Sequence, residues 1–422
     1  MSIVDLKLWY LSNHFLKYGG AQLRFRKYIL GLVERGVNVR ILAGTPTFKD
    51  ISESDWDTSW DKFEIGSSMP PITLDGATLH TVRLPEQSGA LYFDLFTKAI
   101  LESVVYTEGT ATVAQFLNSR PDMISAIKTL RKRRVGVVGN ISQYPNWHSN
   151  LRKRWFRKRE FLKLYNSFDA IVCNSPELHA LLARKIGVQS EVIAIPNGVD
   201  LARFSPASTP MYQAQRHKLR SKLGINEEDV VIICVGGIQP RKGTDLAIQV
   251  WNNLQYQKPK VHLLLVGPFA GTNSNPDFQN YTATITSLVN NSKVPEGVHF
   301  IGHVDNVEDY LRASDIFLLP TSREGTPNAA LEAMASGLPV ILTRHLGMSS
   351  SLGVANREFR LVDRNIESIT LALREMIEEP AVLGGFARAG LKYVEANMDV
   401  SDAIDRYTSL YREVGLNAAA IK

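Results

Sequence analysis

The sequence has little cysteine, which excludes a disulfide framework. Cys173 and Cys234 are the two that occur among the 422 residues, and each lies inside an apolar run. A buried, reduced thiol is the expected state of such residues. No Cys/His cluster has metal-ligand spacing, and the C-terminal half has no Asp-x-Asp pair. We therefore expect no bound metal and no cofactor.

Long apolar runs are also absent. No stretch approaches the roughly 18 apolar residues needed to span a bilayer. The first residues, MSIVDLKLWYLSNH, contain an early Asp and have neither a basic leader nor a small-residue cleavage site. This pattern is not that of a signal peptide. The expected location is the cytoplasm, with a peripheral position at the inner face of the membrane left open.

The charge is modest but unevenly distributed. The chain has 48 Lys and Arg against 42 Asp and Glu, a net charge of +6. Basic residues concentrate at 131–134 and 152–159, and aromatic residues interrupt the second cluster. A solvated helix face explains this pattern, and so does a surface that contacts an anionic membrane or a phosphorylated acceptor. No nucleic-acid recognition motif accompanies the charge, so we expect no nucleic-acid partner.

Two successive series of alternating strands and helices predict the fold. Several predicted strands, such as VVIICVGG and DIFLLP, are continuous apolar runs, as required in a parallel sheet buried on both faces. The length exceeds what one core usually supports. We therefore predict an α/β protein with two Rossmann-like, doubly wound domains at 1–197 and 198–398. The segment 399–422 is expected to form a helix that packs back on the N-terminal domain. No GxGxxG follows the first strand of either half, which argues against a dehydrogenase.

One segment, Asp315 to Thr343, has the strongest functional pattern. A buried strand ends at Pro320, and a loop follows at the carboxyl end of the sheet, where α/β folds bind ligands. Thr326 is predicted to cap a helix with Pro327 in its first position. The amides near Asn328, Ala329 and Ala330 would then attract phosphate. Glu324 and Glu332 could accept hydrogen bonds from sugar hydroxyls in the same pocket.

This segment resembles the retaining glycosyltransferases of family four, which have the GT-B fold with two domains facing a central cleft. Their mark is two glutamates separated by seven residues in the frame EGxPxxxLEAMAxGxPVI. The matching residues here are Glu324, Gly325, Pro327, Leu331, Glu332, Ala333, Met334, Ala335, Gly337, Pro339 and Val340. Further stretches resemble the family along nearly the whole chain: the turn at 19–22, PNGVD at 196–200, VGGIQPRKG at 235–243 and IGHV at 301–304.

The resemblance implies roles for individual residues. Glu332 would bind the ribose hydroxyls, Glu324 would lie near the transferred sugar, and the amides after Gly325 would hold the diphosphate. A cation at Lys242 would stabilise the charge that develops on the leaving group. The predicted donor-binding residues are Gly19, Gly20, Gly237, Lys242, Val304, Glu324, Gly325, Thr326, Pro327, Asn328, Ala329 and Glu332.

Two positions depart from the family pattern. Gly237 stands where the family usually has an Arg, so one expected cation is missing or Arg241 supplies it from a neighbouring position. Asn140 stands where an N-domain His usually faces the donor sugar, and Asn cannot carry a proton as His can. His14 and His148 are candidate substitutes. The predicted catalytic set is Glu324, Lys242, Arg241 and Asn140.

The predicted function is transfer of a hexosyl group, with retained anomeric configuration, from a nucleotide diphosphate sugar to an acceptor hydroxyl. A UDP-sugar is the favoured co-substrate, with GDP- and ADP-sugars as alternatives. Cell-surface polysaccharide, glycolipid and natural-product glycosides are candidate products. The rival hypotheses are a GT-B protein that binds nucleotide sugars but has lost turnover, and a phosphorylase or epimerase on the same fold. Product analysis discriminates among them.

Overall fold

A computed structural model describes most of the chain. The described residues are 5–12, 20–44, 64–68, 70–85, 90–106, 108, 110–117, 119–142, 151–254, 260–269 and 276–420, with side chains omitted at 20–23, 90, 151–156 and 276–279. The chain divides into two compact units. Unit 1 comprises residues 1–196 together with 401–422, and unit 2 comprises residues 197–400.

Unit 1 contains an eight-stranded sheet in the order β3-β4-β2-β1-β5-β6-β7-β8. Every pairing is parallel except that of β3 with β4. The strands are β1 (Asp5–Ser12), β2 (Asn38–Gly44), β3 (Ile72–Leu74), β4 (Ala77–Val82), β5 (Thr110–Phe116), β6 (Gly136–Ile141), β7 (Ala170–Cys173) and β8 (Glu191–Ala194). The helices are α1 (Gly20–Glu34), α2 (Ala90–Ser103), α3 (Ile124–Lys132), α4 (Leu151–Tyr165) and α5 (Pro176–Ala180), which continues as a π-helical turn to Ile186.

Unit 2 contains a six-stranded, all-parallel sheet in the order β11-β10-β9-β12-β13-β14. The strands are β9 (Val230–Val235), β10 (Val261–Val266), β11 (Val298–Gly302), β12 (Ile316–Leu319), β13 (Val340–Thr343) and β14 (Arg360–Val362). The helices are α6 (Pro210–Lys222), α7 (Thr244–Leu254), α8 (Pro276–Asn290), α9 (Val307–Arg312), α10 (Asn328–Ala335), α11 (Ile366–Glu378) and α12 (Pro380–Asn397).

The apolar runs form strands because both faces of each sheet are covered. In β9, Val231 and Ile233 pack into one core while Ile232 packs into another on the opposite face. Every residue of β10 is buried. The prediction of two doubly wound α/β sheets is confirmed.

The last helix, α13 (Val400–Ala420), lies against the sheet of unit 1. A Cβ atom placed on Gly415 would lie 2.8 Å from the Cβ of Ala111, so β5 and the helix approach closely. The hydroxyls of Tyr10 and Tyr411 are 3.1 Å apart, and Tyr411 also donates to Gln115 Oε1 at 3.1 Å. Burial raises the pKa of both tyrosines, so the phenols stay neutral. This buried cluster attaches the end of the chain to unit 1.

Candidate functional site

The site residues of unit 2 lie at the carboxyl ends of β9, β12 and β13. After β10, the backbone passes so close to the end of β9 that a Cβ on Gly267 would lie 2.3 Å from the carbonyl oxygen of Gly236. Gly267 also has a φ of 140°, which L side chains rarely adopt. Only glycine fits at this position, so the backbone segments that follow β9 and β10 pack directly against each other.

A short 3₁₀ turn, Pro240–Lys242, presents the two candidate cations. Gly243 ends the turn with a φ of 72°, and a Cβ there would lie 2.3 Å from the carbonyl oxygen of Pro320. The backbone amide of Ser322 donates to the carbonyl of Arg241 at 2.9 Å. These contacts hold the turn against the end of β12. The positions of Arg241 and Lys242 are therefore fixed by the packing of the turn against that strand.

Arg241 and Lys242 both bind the carboxylate of Glu324. Lys242 Nζ lies 2.8 Å from Glu324 Oε1, and Arg241 Nη1 donates to the same oxygen. Arg241 Nη1 also donates to the carbonyl of Arg323 at 2.8 Å. The Glu324 side chain is only 12% exposed. Burial acts to raise the pKa of Glu324, but Lys242 and Arg241 outweigh it and hold that pKa below its usual value. Glu324 is therefore an ionised, largely buried carboxylate that is paired with two cations.

Helix α10 begins one residue later than predicted. Asn328 is its first residue and Pro327 is the N-cap, with no side-chain capping bond, so the prediction that Thr326 caps the helix with Pro327 in the first position is wrong. Pro327 has an extended backbone, with φ −73° and ψ 111°. Asn197 donates to the Thr326 carbonyl at 3.0 Å and to Asn328 Oδ1 at 2.6 Å. The buried side-chain amide of Asn197 thus binds the start of α10 from a segment about 130 residues earlier in the sequence. The sequence pattern does not reveal this contact.

The remaining predicted donor-site residues lie nearby in the fold. Gly325, Thr326 and Pro327 are buried, whereas Asn328, Ala329 and Glu332 are half-buried on the first two turns of α10. Gly237 follows the end of β9. Val304 is half-buried just beyond β11, where the amide of Gly267 donates to the carbonyl of Gly302 at 2.8 Å.

His345 is a neighbour of this cluster that the sequence analysis missed. It lies two residues beyond β13, and its Nδ1 atom is 2.8 Å from the carbonyl oxygen of Thr343. Burial lowers the pKa of His345; the Thr343 bond and Glu324 act to raise it, and Lys242 acts to lower it. The signal that could have revealed it is a titratable residue directly after a strand at the carboxyl edge of a parallel sheet.

The predicted residues of unit 1 are only partly described. Gly19, His14 and His148 lie outside the described residues, and Gly20 is the first residue of α1. Asn140 lies in β6 with 8% of its surface exposed, and its Nδ2 atom is 3.4 Å from the hydroxyl of Tyr407 in α13. Its amide therefore contacts the C-terminal helix.

The described residues contain no group of three or more His, Cys, Asp or Glu side chains that could hold a metal ion. Within the same described part of the chain, no helix has both the length and the apolar character to cross a bilayer. Cys173 and Cys234 are both free. Burial raises the pKa of Cys234 to about 12, although Lys242 acts to lower it, so this thiol stays protonated.

Family models match both halves of the chain. "Glycosyltransferase Family 4" matches residues 18–203, and "Glycosyl transferases group 1" matches residues 215–392. Mannosylfructose-phosphate synthase of Agrobacterium fabrum is 27% identical over 233 residues, 54% of this chain and 49% of that protein. D-inositol 3-phosphate glycosyltransferase of Rhodococcus jostii is 29% identical over 259 residues, 59% of this chain and 53% of that protein. The chain thus spans about half the length of the curated relatives it matches.

Solved structures share the fold over almost the full chain. Sucrose-phosphate synthase of Thermosynechococcus elongatus superposes with a TM-score of 0.74 at 20% identity, covering 99% of this chain and 100% of that one. Anabaena HepE in complex with UDP superposes with a TM-score of 0.72 at 16% identity, covering 97% of this chain and 100% of that one. Because the two family models together match most of the sequence and these structures share its architecture, the chain belongs to the group 1, family 4 glycosyltransferases and has the GT-B fold.

Proposed function

We propose that this protein transfers a hexosyl group from a nucleotide diphosphate sugar to an acceptor hydroxyl. The observation that carries the proposal is the convergence of Arg241, Lys242 and Glu324 beside the start of α10. Cations and a helix N-terminus attract a diphosphate, and a carboxylate accepts hydrogen bonds from sugar hydroxyls. The Anabaena HepE structures with UDP and with UDP-glucose favour a UDP-sugar donor for the same fold.

Arg241 takes the place of the cation that Gly237 lacks. Both Arg241 and Lys242 contact one oxygen of Glu324, so their charges are within reach of a common anion. A diphosphate carries more negative charge than a single carboxylate and competes for both cations. In this account the two side chains stabilise the leaving group, while Glu324 becomes available to a hydroxyl of the sugar. Glu332 would hold the ribose hydroxyls.

The proposed reaction retains the anomeric configuration. The bond from the anomeric carbon to the diphosphate breaks, and the acceptor oxygen forms its bond to that carbon from the same face. The proton of the acceptor hydroxyl passes to an oxygen of the departing phosphate. The positive charges of Lys242 and Arg241 and the amides at the start of α10 stabilise the charge that grows on that phosphate. Asn140 keeps the role that the family resemblance implies, a hydrogen bond to the sugar.

A thermal-shift screen with UDP, GDP, ADP and their glucose and mannose derivatives tests the donor. A nucleotide sugar at about a hundred times its dissociation constant adds roughly 2.7 kcal/mol of stability, which raises the melting temperature measurably. Failure to bind any of them would contradict the proposed donor.

Product analysis then tests the reaction class. We expect nucleoside diphosphate release that depends on an acceptor, persists in chelator and yields a product with the donor's anomeric configuration by NMR. Binding without release would favour the non-catalytic alternative. Consumption of phosphate, or an epimerised sugar, would favour a phosphorylase or an epimerase.

The basic surface of unit 1 supports a proposal about location. Lys132 at the end of α3 is exposed, as are Arg133 and Arg134 just after it and residues 157–159 on α4. Both helices contact the turn Pro121–Met123. A cluster of this kind attracts anionic lipid. We expect the protein to sediment with vesicles rich in phosphatidylglycerol but not with pure phosphatidylcholine, and to dissociate in high salt. Absence of sedimentation with either kind of vesicle would leave a solvated helix face as the explanation, and equal sedimentation with both would contradict a role for the basic cluster.

A further inference from the structure

His345 lies on a loop that is hydrogen bonded to the loop of Glu324. The amide of Leu346 donates to the carbonyl of Ser322 at 3.2 Å, and the amide of Glu324 donates to the carbonyl of Leu346 at 3.2 Å. The two segments form a parallel bridge at Arg323 and Leu346. His345 and Glu324 are therefore carried on adjacent, paired segments of backbone.

The alternation of side chains places His345 on the inner side of this bridge. Leu346 is 61% exposed, and neighbouring side chains in extended backbone point to opposite faces. Glu324 follows the paired residue Arg323 and so turns to the same side as His345. Both Glu324 and Lys242 act electrostatically on His345, which is consistent with this placement.

The hydrogen bond of His345 to Thr343 fixes its tautomer. A backbone carbonyl can only accept, so the Nδ1 atom, 2.8 Å from it, carries a hydrogen. Burial lowers the pKa of the ring, which is therefore neutral at pH 7. The Nε2 atom then carries a lone pair and can only accept a hydrogen bond.

That lone pair has no partner among the residues that the structure describes. His345 Nε2 is buried, and no atom of the described residues lies in hydrogen-bonding position to it. Buried polar atoms are nearly always paired, so an orphan acceptor beside a charged cluster requires an explanation. A ligand group that donates a hydrogen bond would supply the missing partner.

The chemistry of the acceptor selects the ligand group. A neutral Nε2 lone pair repels phosphate oxygens, which have no hydrogen to donate, but it accepts well from a hydroxyl. A nucleotide diphosphate sugar carries hydroxyls on its ribose and on its transferred sugar. In the proposed function the ribose hydroxyls lie at Glu332 and those of the transferred sugar lie at Glu324, which is the residue on the segment paired with that of His345. We propose that Nε2 of His345 accepts a hydrogen bond from a hydroxyl of the transferred sugar. This inference rests on the proposed function and adds a specificity-determining residue to it.

Two substitutions test the roles of Nδ1 and Nε2 separately. His345→Asn keeps an N–H close to the position of Nδ1, so the bond to Thr343 can persist, but it removes Nε2. His345→Gln places an amide oxygen near Nε2, where it can still accept. Circular dichroism and thermal melting establish that both variants fold, and His345→Phe is a third variant that fills the same space.

Titration calorimetry with UDP and UDP-glucose, and with GDP and GDP-mannose, gives the affinities. For the pair that the wild type binds, we expect His345→Asn to weaken the nucleotide sugar about 3- to 10-fold, as for one lost hydrogen bond, and the bare nucleotide by less than twofold. His345→Gln should retain most of the sugar-dependent affinity. A wild-type chain that binds neither pair refutes the proposed function itself, which is a different outcome.

The inference is overturned if His345→Asn weakens nucleotide and nucleotide sugar equally, or weakens neither. It is also overturned if, in steady-state assays, the KM of the acceptor rises while that of the donor is unchanged, since the hydroxyl would then belong to the acceptor. A merely structural role would lower the melting temperature without changing the ratio of the two affinities.

Discussion

Units 1 and 2 are both built on parallel sheets, but polar side chains near the carboxyl ends of their strands have different partners. In unit 2, Arg241, Lys242 and Glu324 lie on loops beyond the strand ends and contact one another through charged groups. In unit 1, Asn140 lies within β6 and contacts the hydroxyl of Tyr407, which belongs to the helix that ends the chain. Unit 2 thus concentrates charged groups at this edge of its sheet, whereas Asn140 of unit 1 contacts its last helix.

Charge density distinguishes the unit 2 cluster from the unit 1 contact. Glu324 keeps a lowered pKa despite burial because two cations face it. The buried tyrosines of unit 1 have raised pKa values because burial is the main influence on them. We expect catalysis to depend on the charged cluster of unit 2 much more than on the buried contacts of unit 1.

Among the single substitutions considered, loss of the Lys242 charge should reduce turnover the most. Lys242→Ala removes a charge that would stabilise the leaving diphosphate, so we expect turnover to fall about 100- to 1000-fold. Steady-state kinetics with saturating donor measure it. Lys158→Ala, on the exposed surface of α4 in unit 1, is the matched control and should keep wild-type turnover. Similar losses in both variants would contradict the comparison.

Gly243 tests whether close packing fixes the cation turn. Gly243→Ala adds a Cβ that would lie 2.3 Å from the carbonyl oxygen of Pro320, at a φ of 72°. Gly224→Ala is matched, because its φ is 69° but nothing lies within 4 Å of the added Cβ. We expect the control to cost about 1–2 kcal/mol in the free energy of unfolding, from backbone strain alone. Gly243→Ala should cost about 1–3 kcal/mol more, from overpacking. Equal values in urea titrations would show that the turn moves freely.

Loss of the Asn140 amide should reduce turnover far less than loss of Lys242. Asn140→Ala and Tyr407→Phe each remove one partner of the same buried contact, so we expect each to lower the unfolding free energy by about 1 kcal/mol. Turnover of Asn140→Ala should fall no more than about tenfold, the loss of one hydrogen bond to the sugar. A loss as large as that of Lys242→Ala would make unit 1 an equal contributor of catalytic charge stabilisation.

The expected effect with the least bearing on turnover is a pH dependence of unit 2 stability. His299 packs against His262, with 3.1 Å between Nε2 and Nδ1, and His262 Nε2 is 3.3 Å from Asp229. Burial, with contributions from His262 and Lys260, lowers the pKa of His299 from 6.5 to about 4. The unfolded chain then binds more protons between these values, so stability falls as pH drops from 6.5 towards 4, by at most about 1.4 kcal/mol per pH unit and proton. In denaturant titrations across this range, His299→Phe should flatten the slope. An unchanged slope would show that other titratable groups cause the pH dependence of stability.

The fold was predictable because its strands are buried on both faces and therefore appear as apolar runs. The segment from Asp315 to Thr343 was predictable because its strand, loop and helix are contiguous in sequence. The positions of Asn197 and His345 were not, since each joins the site through contacts between segments more than 20 residues apart in the chain. The helix start at Asn328 also differs from the pattern, because the Pro-containing stretch adopts an extended conformation one residue longer than the capping rule suggests.

The central claim is that the loop and helix from 324 to 332 bind a nucleotide diphosphate sugar. The most direct test is the affinity of the Glu324→Ala/Glu332→Ala double variant for the nucleotide sugar that the wild type binds, measured by calorimetry together with product formation. Losing two hydrogen bonds to charged groups should weaken binding at least about 100-fold and abolish the product. Wild-type affinity and wild-type product formation in the double variant would contradict the account.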